Sequence, residues 1–163
     1  MPMIPTAFRR LLLLAATFLV IATAAAFGDT AAPNSTPVPP IPPGHARIWI
    51  YRDYEPSESL NMTAVSINGA VTGYAQPGGS VFYRDVPPGR YLVSVESYGR
   101  DTNQSTNLLL ASGQEAYIKI ESLRAWSSTG ERTSIERDTF YARPIAPQLA
   151  RVEMAHIRYY GGG

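Results

Sequence analysis

From residue 45 onward, apolar positions recur at every second residue over short stretches, and Gly, Pro and Asn break them at intervals of roughly ten residues. This rhythm predicts short strands. The first covers residues 46–51, with Ile48 and Ile50 on one face and Trp49 and Tyr51 on the other, so both faces are expected to be covered. Thr63–Ile67 and 70–74 flank Asn68-Gly69, the pair best able to take the two positive-φ positions of a type I′ turn, and predict a hairpin. Ser80–Val86 follows. Pro87-Pro88-Gly89 then forces a turn before 91–97, where Tyr91, Val93 and Val95 alternate with Leu92, Ser94 and Glu96. A short strand at 107–111, a turn at Ser112-Gly113-Gln114 and a half-buried strand over 115–123 complete the regular part. Residues 99–106 are polar and read as a loop, 126–137 are polar and read as a loop or a mobile edge, while 139–142 can pair. Residues 148–159 carry two periodicities: Val152, Met154 and His156 alternate as in a strand, whereas Leu149, Val152 and His156 have helical spacing. A strand or irregular arm is the favoured reading. The sum is an all-β sandwich over residues 45–157, followed by a flexible tail at 158–163.

The N-terminal quarter has a different character. Arg9 and Arg10 precede an uncharged apolar run over residues 11–26 that ends in small residues, the three-part layout of a secretory signal. Its roughly 16 residues fall short of the roughly 20 that span a bilayer as a helix, which predicts a cleaved signal peptide over 1–28. Uncut, the same segment would tether the chain to a membrane. Residues 29–44 contain Pro33, Pro37, Pro39, Pro40, Pro42 and Pro43 and predict a semi-rigid extended linker.

Composition narrows the chemistry. The 163 residues carry 14 Lys plus Arg against 13 Asp plus Glu, and removing Arg9 and Arg10 leaves 12 against 13, a net charge of about −1. The basic residues are scattered, which argues against a nucleic-acid partner. Absence of Cys excludes structural disulfides and a lipobox anchor, so the fold rests on packing. No convergent metal-ligand or cofactor pattern is present: His45 and His156 are far apart, and the acidic loop Asp53, Glu55 and Glu58 lacks calcium-loop spacing. No nucleophile elbow occurs, and Gly78-Gly79-Ser80 precedes a strand without the Lys of a phosphate loop. Glu96 and Glu121 are expected to face solvent separately. The aromatic residues exceed what one small core needs, which makes Trp49, Tyr51, Tyr54 and Trp126 candidate binding residues for a protein or glycan.

Val65-Ser66-Ile67-Asn68-Gly69, Val71-Thr72-Gly73 and the run from Val86-Pro87-Pro88-Gly89-Arg90-Tyr91 to Val95 resemble PEGA-like and transthyretin-like modules of exported bacterial proteins. With Ala46-Arg47-Ile48-Trp49-Ile50-Tyr51-Arg52, Ser112-Gly113-Gln114 before Tyr117, and Leu149-Ala150-Arg151-Val152, they also look like the family known as domain of unknown function 2846. The resemblance implies a single Ig-like or transthyretin-like β-sandwich, a cell-envelope location and no established catalytic set. The lipobox cysteine often found in that family is missing here. The expected role is a non-enzymatic exported binding or structural module in the periplasm or outside the cell. The alternative is an enzyme acting on envelope polysaccharide through paired carboxylates such as Asp53, Glu55 or Glu96.

Overall fold

The computed structural model describes residues 37–56, 58–128 and 134–162, with backbone alone at 124–128, 134–137 and 160. The expected signal peptide and residues 29–36 of the expected linker lie outside the described residues. Along the chain run β1 (Ala46–Arg52), β2 (Thr63–Ile67), β3 (Ala70–Ala75), β4 (Ser80–Val86), β5 (Gly89–Val95), β6 (Ser105–Leu110), β7 (Glu115–Ser128), β8 (Ser134–Pro144), α1 (Pro147–Met154) and β9 (Tyr159–Gly162). They form an all-β sandwich of a five-stranded sheet, β8-β7-β1-β4-β9, and a four-stranded sheet, β3-β2-β5-β6.

Period-two alternation decides which side chains meet between the sheets. Ile48 and Ile50 of β1, Ile118 and Ile120 of β7, Phe82 of β4 and Phe140 of β8 face Val65, Ile67, Val93 and Leu110 of the smaller sheet in one buried cluster. The hairpin joining β2 to β3 turns at Asn68 and Gly69, with φ of 51° and 82°, as the Asn-Gly pair predicts. The opposite side chains of β1, β4 and β7 form a second layer: Trp49, Tyr51, Val81, Tyr83 and Tyr117 close under Ala150 of α1. The central strand of the larger sheet is therefore covered on both faces.

Three expectations are corrected. Residues 126–137 were expected to be a loop or a mobile edge, yet strands β7 and β8 continue through the described part of this stretch and pair antiparallel out to Ser128 with Ser134. Cross-strand backbone bonds hold such an arm together where side chains give no apolar period. The segment after Pro144 is a helix rather than a strand: Pro147 sits in its first turn, where a missing N–H costs nothing, and Ala150 and Met154 share the inward face. The stripe Leu149 and Val152 faces out. The expected tail is strand β9, which pairs in parallel with β4 through Val81 with Tyr159 and Tyr83 with Gly162. Gly162 is required there because a Cβ would run into the Tyr83 ring.

At one end the inner face turns polar. Arg52, Ser122 and Asp138 continue the inward series of β1, β7 and β8, and the loop after β1 folds over them with Glu58 and Ser59, all buried. Glu58, expected on a solvated acidic loop, accepts from Arg52 Nε at 2.8 Å and from the Gly78 N–H at 2.8 Å. Arg52 also donates to the carbonyls of Asn61 at 2.8 Å and of Ser59, while the Ser59 N–H reaches Ser122 Oγ at 2.9 Å. The charge is buried because every strong donor finds an acceptor. Asp138 Oδ2 accepts from Ser59 Oγ and Asn61 Nδ2.

Candidate groove beside the helix

Among the described residues, the outer layer of the five-stranded sheet carries a concave surface walled by aromatic and apolar side chains. Helix α1 lies across β1 and β7, held by Ala150 at its centre and by two polar latches. In the first, Glu115 Oε1 accepts from Trp49 Nε1 at 2.9 Å, and Oε2 accepts from Tyr117 Oη at 2.8 Å and Arg151 Nη2 at 2.9 Å. In the second, Glu153 accepts from Tyr51 Oη at 2.6 Å and from Lys119 Nζ at 3.3 Å, with Glu55 3.6 Å from the same ammonium. Beyond the end of α1 the chain drops to β9, leaving an open cavity of about 260 Å³ lined by Val38, Trp49, Val81, Met154, Ile157 and Tyr159, with Arg151 on its polar side.

Packing fixes the aromatic walls. The Trp49 ring meets Tyr83 edge-on at 5.1 Å and stacks on Tyr117 at 6.4 Å, and Tyr83 stacks on Tyr159 at 6.1 Å. Arg47 lies 3.9 Å over Tyr83 and is clamped by Asp85 at 2.6 and 2.8 Å. That carboxylate raises the Arg47 pKa against the opposing effect of burial. Burial, with the hydrogen bond to Tyr83, pushes the Tyr159 hydroxyl up to about 12. Burial alone would disfavour the charge on Lys119, but Glu153 and Glu55 overcome it and raise its pKa.

Glu115 gives the site a pH signature. Burial acts to raise its pKa, and the donors Trp49, Tyr117 and Arg151 outweigh it, so the folded value lies below the ordinary 4.5. As pH falls through 4.5 the unfolded chain takes up this proton first, and stability drains away until the folded carboxylate also protonates. Acid unfolding of Glu115→Gln, followed by circular dichroism, is expected to lack this component. An identical acid limb in both proteins would refute the assignment.

The sequence-derived candidates separate. Trp49 is 9% exposed and Tyr51 fully buried, so their rings are spent on seating α1; only the rim of Trp49 reaches the groove. Tyr54 is 63% exposed on the loop after β1 and is not part of that packed layer. The side chain of Trp126 lies outside the described residues. The structure adds Arg151, Met154, Ile157 and Tyr159, whose shared role follows from α1 and β9, neither of which was expected. Pro147 in the first turn and the helical spacing of Leu149, Val152 and His156 were the signals for the helix.

The acidic candidates do not converge. Glu58 is committed to Arg52, Glu55 to Lys119 and Glu121 to Arg143. Glu96 follows β5 in the smaller sheet, whereas Glu121 lies on β7 in the larger one. Among the described residues no group of three or more His, Asp or Glu is placed to hold a metal ion, and no helix is long and apolar enough to cross a membrane. No family model, curated protein or solved structure matches this chain.

Proposed function

We propose that the chain is an exported, non-enzymatic module of the cell envelope that holds a protein or glycan partner in the groove beside α1. The groove carries this reading: an apolar, aromatic-walled concavity with one guanidinium at its edge is the usual composition of a recognition site. The layout of residues 1–28 supports export, and the resemblance to domain of unknown function 2846 supports an envelope setting. Among the described residues, Arg151 at the groove is paired with Glu115 and Arg47 beside it with Asp85, which favours holding over turnover.

Ala155 lines the groove, is exposed and ends α1, so a large side chain there obstructs the concavity without entering either core. In native envelopes, Ala155→Trp is expected to abolish crosslinked capture of the partner while leaving the melting temperature unchanged. Leu60→Ser, at an exposed position on the loop after β1, serves as the control. Equal capture by both variants sinks the groove as the binding site.

A further inference from the structure

The proline-rich segment does more than precede the domain. Its last residues run beside the groove: Val38 lines the cavity, and the Pro39 carbonyl accepts from Arg47 Nη1 at 2.7 Å. The donor is preset, since Asp85 grips the same guanidinium from the other side and the Tyr83 ring supports it from below. The segment then reverses at Gly44, with φ of 77°, where the His45 N–H meets the Pro42 carbonyl at 3.1 Å.

We propose that the rim of this groove, with Arg47 beside it as donor, is a seat for an extended proline-rich strand, taken here by the chain's own Val38 and Pro39 and able to take the same segment from a second copy. The proposal rests on the groove reading above and names the occupant. Prolines suit such a seat: they cannot donate, their carbonyls accept well, and their fixed φ leaves little freedom to lose on docking. Attachment is light. Val38 is still 42% exposed, Pro37, Pro39 and Pro40 are exposed, and one side-chain hydrogen bond ties the segment to Arg47. Opening the turn at Gly44 frees the segment without touching β1, which stays paired with β4 and β7. A second copy offers the identical strap, and reciprocal exchange makes a closed two-fold pair. The attached strap has the advantage of an effective concentration on the order of millimolar, so exchange shows when the attached contact is weakened.

Two variants separate seat from strap. Val38→Asp disables the strap and leaves the seat open; Ala155→Trp blocks the seat and leaves the strap intact. In purified, isotopically labelled Val38→Asp chain, the Trp49 indole resonance is expected to shift on addition of unlabelled Ala155→Trp chain, half-saturating below about 1 mM. The Val38→Asp, Ala155→Trp double variant, added instead, is expected to bind at least about tenfold more weakly. No shift, or an equal shift with the double variant, overturns the proposal. Association of Val38→Asp with another envelope protein while the copies ignore each other also overturns it. If exchange fails while envelope capture still depends on Ala155, the groove reading stands and only the strap falls; the reverse pattern spares the strap.

Discussion

Arg52→Ala is expected to lower the unfolding free energy by about 3–5 kcal/mol, because it strands the Glu58 carboxylate in a buried site. Arg52 is 1% exposed and donates to Glu58, to the carbonyls of Ser59 and Asn61 and, at 3.4 Å, to Ser122 Oγ. Removing it orphans a charge and several carbonyls at once. A domain of this size is stable by about 5–15 kcal/mol, so the loss is a large share of the total. Urea unfolding measures it. In a cycle with Glu58→Gln the two changes are expected to be non-additive, since the second removes the charge that the first leaves unpaired. A loss under about 1 kcal/mol in Arg52→Ala would mean that water enters this end of the sandwich and the pair is not shielded.

Trp49→Ala comes next, at about 3–5 kcal/mol, the range for deleting a large buried aromatic ring. The cost has three sources. The ring fills the layer between the sheet and α1, it packs against Tyr83 and Tyr117, and its Nε1 satisfies Glu115. The variant is expected to unfold at lower urea and to expose α1 to proteolysis before the sandwich opens. A protein with parental stability that has only lost its partner would instead make Trp49 a docking residue, the role suggested by its residue type alone.

These two residues also show what the chain makes legible. The alternation of Ile48 and Ile50 with Trp49 and Tyr51 announces a strand covered on both sides, and Asn68-Gly69 announces its turn, because both rest on local backbone geometry. The identity of the second cover was hidden. Helix α1 has only two turns, its outward Leu149 and Val152 blur its period, and the spacing of Val152, Met154 and His156 mimics a strand. Strand β9 was hidden for a related reason: Tyr159-Tyr160-Gly161-Gly162 reads as a tail until the Tyr83 ring is seen lying where a Cβ of residue 162 would go. The burial of Glu58 depends on Arg52 and Gly78 meeting at one place, and a carboxylate in a polar loop carries no local mark of that meeting. The groove inherits both hidden elements, so Trp49 alone of its walls was singled out from the sequence.

The wiring of the larger sheet sets the order in which the chain can fold. Its central strand β1 takes β7 as a parallel neighbour, and β4 takes β9, partners synthesised long after them. The smaller sheet joins only segments between Thr63 and Leu110, each antiparallel to its neighbour. Loop closure over such distances is slow. Until the C-terminal residues have emerged, the edge of β4 has no cover, and a stalled or clipped chain would present it to any passing strand.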